Sequence, residues 1–201
     1  MARIRKNVEV RREEILDEAI RLIGERGYNG LTVPELARRC GLTNGGLLYH
    51  FGSKEGLLMA ALDEFERRFM VAIQPMVAQL PDEQGPGERP SLRRVREALR
   101  AVVGLTEIEP ELMRLLAMIQ AEAMDPSHPA HDYCLKQQHC WLETFTAMLV
   151  GHVPDPASTG LHISTLVQGF QTLWLQMGGS FDLLGEWDKA TAKLLPDDEG
   201  K

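Results

Sequence analysis

Five side chains that can donate hydrogen bonds to phosphate oxygens lie close together near the start of the chain. They are Thr32, Thr43, Tyr49, His50 and Lys54. Hydroxyl, imidazole and ammonium groups are common partners of nucleic-acid phosphates. Each residue also has a purely structural explanation, since threonines cap helices and a lone lysine is an ordinary surface charge. The order and spacing of the whole group, rather than any one member, indicate phosphate binding.

The sequence around these residues predicts two short helices joined by a tight turn. Thr32 and Glu35 have the spacing of a capping box, and Gly41 ends the helix that they begin. Thr43 can cap the next helix, which we place at residues 44–51. We predict longer helices on either side, one at about residues 8–26 and one that begins after Ser53. This arrangement is typical of a helix-turn-helix domain.

The second short helix contains two glycines in its first turn, Gly45 and Gly46. Each costs roughly 1 kcal/mol relative to alanine inside a helix. A helix that only packs against its neighbours gains nothing from them. A helix whose backbone must approach base edges and phosphates does gain. We therefore expect this helix to enter the major groove of double-stranded DNA.

The rest of the chain also reads as helices, so the predicted fold class is all-α. Helical periodicity is present at about 91–106, 110–124, 130–151, 158–178 and 184–195, whereas no segment alternates with a period of two. Residues 81–90, rich in Pro and Gly, predict a loop. We predict a DNA-binding domain at residues 1–54 and a second, helical domain at residues 55–201.

The charge is unevenly distributed along the chain. Residues 1–56 hold ten Lys and Arg against eight Asp and Glu, while the remainder holds twelve against twenty-one. A basic end on an acidic body favours an approach to phosphates by one face only.

Other classes of protein find little support. No apolar run reaches the roughly 18 residues of a membrane span, and no signal peptide is recognisable, so we expect a cytoplasmic protein without a membrane partner. No nucleophile–base pair, phosphate loop or metal triad is apparent, which argues against an enzyme and against a cofactor. His128, His131, His139, Cys134 and Cys140 lack a recognisable metal-site pattern, and we predict no metal.

The stretch from Leu31 to Leu58 resembles the TetR family of transcriptional regulators, as do Ile15–Ala19 and Gly24–Tyr28 before it. The resemblance implies that Thr32, Thr43, Tyr49, His50 and Lys54 contact the DNA backbone, and that Asn44 and Gly45 reach base edges. Adenine is the natural bidentate partner of Asn44. Three positions depart from the family pattern: Leu48 replaces a frequent aromatic residue, Pro34 an occasional base-reading arginine, and Gly46 a common threonine.

The resemblance also implies a homodimer, because the last two helices of the family usually pair across a twofold axis. The candidate contact residues form one apolar stripe: Leu166, Phe170, Leu173, Trp174 and Met177. The same stripe could instead face the core of its own subunit.

Members of the family bind small molecules among their middle helices, which implies that residues 55–201 form a ligand-binding and dimerisation domain with an apolar pocket. The candidate lining residues are Phe65, Phe69, Met113, Met118, Trp141, Phe145 and Met148. Each could instead be a packed core residue. The sequence therefore predicts a repressor that a small apolar or amphipathic ligand releases from a palindromic operator. The alternative is a helical small-molecule-binding module with weak or lost DNA binding.

Overall fold

The computed structural model describes residues 8–80 and 90–195. Within these ranges the chain forms nine helices, with bounds close to the predicted ones: α1 Val8–Gly30, α2 Val33–Arg39, α3 Asn44–Phe51, α4 Lys54–Ala78, α5 Leu92–Ile108, α6 Pro110–Glu122, α7 His131–Leu149, α8 Pro156–Gln176 and α9 Leu183–Thr191. The described residues contain no strand, only an isolated bridge between Val150 and Val153. The all-α prediction is confirmed. The predicted loop, apart from Pro90, lies outside the described residues.

The chain divides into two compact units. As far as it is described, unit 1 consists of residues 8–68 and 114–134, and unit 2 of residues 69–113 and 135–195. Helices α4, α6 and α7 each contribute residues to both units. The domain boundary that we placed after residue 54 stays a prediction.

In unit 1, α1 packs against α2 and α2 against α3. Ile15, Ala19 and Ile23 recur at helical spacing on α1 and are fully buried, together with Leu36 of α2 and Leu47 of α3. Gly27 interrupts α1 with φ 75°, a backbone angle that favours glycine, and the chain then resumes a helical course to Gly30.

In unit 2, α5 packs against α8 and α9, and α8 packs against α9. Leu99, Val103, Phe145, Ile163 and Trp187 lie in its apolar core. None of the helices in the described ranges is long and apolar enough to cross a membrane.

Candidate nucleic-acid interface

Three hydroxyl side chains fix where the helices of the head begin; by the head we mean residues 8–68. Thr32 Oγ1 accepts a hydrogen bond from the Glu35 amide (3.3 Å), and Thr43 Oγ1 accepts one from the Gly46 amide (3.1 Å). Ser53 Oγ accepts from the Gly56 amide at 2.9 Å. Thr32 and Thr43 are solvent-exposed, and a hydroxyl that accepts one bond can still donate another. Both threonine hydroxyls therefore cap a helix and can still donate a hydrogen bond to another molecule.

Helix α3 has an apolar face toward the core and a polar face toward solvent. Leu47 and Phe51 are buried, whereas Asn44 and Gly45 are exposed. Tyr49 is 83% exposed, an unusual position for a large aromatic side chain unless another molecule covers it. The residues predicted to read DNA thus share an open surface.

The two glycines of α3 differ in their surroundings. A Cβ atom at Gly45 would have no neighbour within 4 Å, so the fold itself does not require glycine there. A Cβ atom at Gly46 would lie 3.3 Å from Thr43 Oγ1, against the cap of the helix. Glycine at position 45 is therefore still interpreted as keeping the backbone open for DNA. At position 46 the contact with the helix cap gives a local structural reason for glycine.

Two arginines of α1 hold the ends of α2 and α3 rather than extending into solvent. The Arg12 guanidinium lies 4.5 Å from the centre of the Phe51 ring, and its Nη1 donates to the His50 carbonyl at 3.5 Å. Arg11 Nη1 donates to the Cys40 carbonyl at 3.3 Å. A cation at the carboxyl end of a helix is favourable because the last carbonyls carry partial negative charge. Sequence reasoning missed this role, since nothing in the spacing distinguishes these arginines from surface charges.

Further ion pairs connect α1 with α2. Arg39 lies between Glu18 and Glu35, at 3.1 and 2.9 Å, and Arg26 pairs with Glu35 at 3.1 Å. The hydrogen bond from Arg39 keeps the pKa of Glu35 below its ordinary value. These contacts orient α2, whose exposed first turn carries Thr32.

His50 and Lys54 lie beside the exposed face and are half-buried. The His50 ring packs edge-on against Tyr49, with 5.6 Å between centroids. The Lys54 ammonium lies 4.2 Å from the centre of the Tyr28 ring. Burial lowers the pKa of Lys54, while the charge of Glu122 opposes that shift.

The predicted pocket residues fall into both units. Phe65 (buried) and Met118 (half-buried) belong to unit 1, and the other five belong to unit 2. In unit 2, the rings of Phe69, Trp141 and Phe145 contact one another in series, at 5.1 and 5.7 Å between centroids. Two surface grooves of unit 2 are lined by other residues. The ligand pocket stays a prediction.

The predicted dimer stripe of α8 has two orientations. Leu166, Phe170 and Trp174 are half-buried and pack against the core of unit 2, and their part in a dimer contact stays a prediction. Leu173 and Met177 are 48% and 51% exposed.

Leu161, 53% exposed, and Gly169, where a Cβ atom would meet open space, line one surface groove together with Leu173. We call Leu161, Gly169, Leu173 and Met177 the α8 outer face.

Among the described residues, no three His, Cys, Asp or Glu side chains are grouped to hold a metal ion. His131 Nδ1 lies 2.8 Å from the Ala123 carbonyl, where it bridges the end of α6 and the start of α7. Burial raises the pKa of the Cys134 thiol to about 11, so this thiol is protonated at neutral pH.

Comparisons with known proteins agree with the geometry of the head. Residues 15–61 match the profile of "Bacterial regulatory proteins, tetR family". The chain is 28% identical over 200 residues to the HTH-type transcriptional regulator BetI of Burkholderia thailandensis, a match that covers 94% of this chain and 91% of that protein. It is 37% identical over 82 residues to the transcriptional repressor AcnR of Corynebacterium diphtheriae, which covers 40% and 43% of the two chains.

Among solved structures, AibR in complex with isovaleryl coenzyme A and operator DNA superposes with a TM-score of 0.72. The match covers 92% of this chain and 98% of AibR, at 21% sequence identity, and supports the fold alone. Two capped short helices that present an open polar face, within this all-helical fold, define a transcriptional regulator of the helix-turn-helix class. Residues 15–61, most of the head, match the TetR family.

Proposed function

We propose that this regulator is a homodimeric repressor that binds a palindromic operator through two copies of α3, and that a small apolar or amphipathic ligand releases it. The observation that carries the proposal is the exposed face of α3, where Asn44, Gly45 and Tyr49 are open to solvent while Leu47 and Phe51 are buried. A buried stripe with a polar opposite face is the geometry that a major-groove helix needs.

In this proposal Asn44 reads a base, and the other polar residues hold the DNA backbone. The amide of Asn44 can form a bidentate pair with adenine N6 and N7. Thr32, Thr43, Tyr49, His50 and Lys54 bind phosphates, and the open surface at Gly45 admits a base edge. Because Arg12 and Arg11 hold the ends of α3 and α2, the face is preorganised before DNA arrives.

The proposed dimer contact is the α8 outer face. Its exposed leucines and methionine offer apolar area, and Gly169 allows close approach of a second helix. Two copies related by a twofold axis would present two reading helices to a palindrome. Release by a ligand is supported by a structurally similar protein, since AibR forms a complex with isovaleryl coenzyme A and operator DNA.

The test measures binding of the full chain to the DNA upstream of its own gene, by fluorescence anisotropy at several salt concentrations. Asn44→Ala should relax the preference at one base pair per half-site, by about 1–3 kcal/mol of lost discrimination. Tyr49→Ala should weaken binding to all sequences alike. Met124→Ala is the matched control, because Met124 of unit 1 is 78% exposed, similar to Tyr49, yet lies outside α3.

Sedimentation of the complex should give two chains per operator. Wild-type protein that binds no DNA selectively at physiological salt, or that remains monomeric at micromolar concentration, would contradict the proposal. The first result would favour a small-molecule-binding module that has lost its operator.

A further inference from the structure

Glu122, the last residue of α6, is the centre of a polar cluster in unit 1 that the proposed DNA contacts leave unexplained. Around its carboxylate lie the amides of Tyr28 and Asn29, the ammonium of Lys54 and the imidazole of His128. Glu122 is half-buried, with 19% of its side chain exposed. It is 94 residues from Tyr28 in the sequence, so only the fold brings the two together.

The carboxylate of Glu122 accepts hydrogen bonds from the backbone where α1 bends. Its Oε2 accepts a hydrogen bond from the Tyr28 amide at 2.7 Å, and its Oε1 accepts one from the Asn29 amide at 3.2 Å. Both amides follow Gly27, whose φ of 75° turns the chain. A Cβ atom at Gly27 would lie 2.4 Å from Glu122 Oε1, so glycine is needed both for the backbone angle and for the carboxylate. Hydrogen bonds from two amides to one carboxylate are charge-assisted and set a defined geometry.

The Tyr28 side chain then provides the surface on which Lys54 lies. The Lys54 ammonium is 4.2 Å from the centre of the Tyr28 ring, a distance suited to a cation–π contact. The other side of the cluster is closed by His128, which is buried and packs edge-on against Tyr28 with 5.2 Å between centroids. His128 Nδ1 accepts from the Ala130 amide at 3.2 Å, which directs Nε2 toward Glu122 at 3.8 Å.

We propose that Glu122 is a positioning residue for DNA binding. By holding the Tyr28 and Asn29 amides it fixes the Tyr28 ring, and the ring fixes the Lys54 ammonium where it meets a DNA phosphate at the start of α4. Glu122 does not touch DNA in this scheme. This inference rests on the proposed function, because it assigns a task to the phosphate contact of Lys54.

The experiment compares Glu122→Gln, Lys54→Ala and the double variant of the full chain on the operator fragment, by anisotropy over a range of salt. Glutamine keeps the size of the side chain but offers only one acceptor oxygen and no charge. We expect Glu122→Gln to weaken binding about fivefold to tenfold, and the dependence of affinity on salt to become shallower, as for Lys54→Ala. The double variant should bind no more than about twofold more weakly than Lys54→Ala, since coupled residues are not additive.

Two further variants separate positioning from stability. Glu111→Gln changes an exposed carboxylate in the first turn of the same helix and should leave affinity unchanged. Tyr28→Leu keeps an apolar side chain but removes the ring, and should reproduce the loss of affinity and the shallower salt dependence. Thermal unfolding of each variant shows whether the fold is intact. Amide hydrogen exchange should accelerate at Tyr28 and Asn29 in Glu122→Gln, but not at buried Leu36.

Wild-type affinity and salt dependence in Glu122→Gln, tighter binding by it, or a double variant whose loss equals the product of the two single losses would each overturn the inference. A wild-type chain that binds no DNA would overturn the proposed function instead. In that case unchanged exchange at Tyr28 and Asn29 in Glu122→Gln would also remove the structural basis of the positioning role.

Discussion

In the head most of the residues predicted to meet DNA are open to solvent, whereas in unit 2 most of those predicted to meet a ligand are packed into the core. Asn44, Gly45 and Tyr49 are exposed, and packing alone does not call for an exposed tyrosine. Phe69, Met113 and Phe145 are buried in unit 2, as large apolar side chains are in the core of any folded chain. A residue that acts in binding is therefore easiest to recognise at a position where packing does not require its side chain.

The two units also differ in what connects their helices. In the head, Arg39 joins α1 to α2 and Arg68 joins α1 to α4. In the described part of unit 2, the ion pair between different helices is that of Arg100 with Asp188, at 3.1 Å, and both side chains are about half exposed. The core of unit 2 is apolar, around Trp187 and Phe145. We expect truncation of an apolar side chain to lower the free energy of unfolding most in unit 2. Removal of a charge should lower it most in the head.

The largest effect is expected from Trp187→Ala. Trp187 is 2% exposed and its ring packs edge-on against Phe170, so removing it should cost about 3–5 kcal/mol of unfolding free energy. Denaturant unfolding followed by circular dichroism measures the loss. Leu135→Ala, at a half-exposed position of α7 in unit 2, is the control and should cost less than about 1 kcal/mol. A loss from Trp187→Ala no larger than that of the control would mean that apolar burial does not hold unit 2 together.

The next prediction concerns two glycines of the head that the sequence does not distinguish. A Cβ atom at Gly56 would lie 2.2 Å from the Phe51 carbonyl oxygen, whereas one at Gly45 would meet open space. Gly56→Ala should therefore destabilise the protein by about 1–3 kcal/mol, because backbone must move to admit the methyl group. Gly45→Ala should stabilise it by about 0.5–1 kcal/mol through helix propensity.

Thermal unfolding measures both changes, and operator binding supplies the second readout. Gly45→Ala should bind DNA more weakly although it is more stable, if the open surface admits a base edge. Equal stability changes in the two variants would show that the Gly56 contact is relieved without cost. A Gly45→Ala variant with unchanged affinity would remove the functional interpretation of that glycine.

These glycines illustrate what the sequence could and could not predict. The helix-turn-helix was predictable because Thr32, Thr43, Gly41 and Ser53 act on neighbours a few residues away, and such local rules are visible in the sequence. The need for glycine at position 56 arises from the Phe51 carbonyl across a tight α3–α4 junction. The hydrogen bond from the Tyr28 amide to the Glu122 carboxylate joins residues that are far apart in the chain. Both depend on the folded geometry, which spacing alone does not reveal.

The same reasoning applies to the apolar residues of unit 2. Leu166, Phe170, Leu173, Trp174 and Met177 share one helical stripe, but the stripe is wide enough to serve both the core and the surface. The structure separates Leu173 and Met177, which are half-exposed, from the three that pack inward. Periodicity defines the axis of such a stripe but not which edge faces a neighbouring helix.

A smaller loss of stability is expected from Glu64→Gln, and this variant tests whether ion pairs stabilise the head. Arg67 donates to both oxygens of Glu64, at 2.8 and 2.7 Å, and Arg68 donates to Oε1 at 2.6 Å. The bonds from Arg67, aided by Arg68, lower the pKa of Glu64 to about 2. Arg68 also binds Asp17, so Glu64 helps to orient the link between α4 and α1.

A folded-state pKa below the unfolded value of 4.5 means that Glu64 stabilises the protein fully above pH 4.5, and that this contribution is lost as the pH falls toward about 2. Because the arginines are partly exposed, we expect the neutral variant to lose only about 1–2 kcal/mol at pH 7. Its unfolding free energy should then change less than that of the wild type between pH 4.5 and 2. Denaturant unfolding at several pH values measures this, with Glu143→Gln, an exposed position of unit 2, as the control. Parallel pH profiles for the wild type and Glu64→Gln would show that burial, rather than charge, holds α4 to α1.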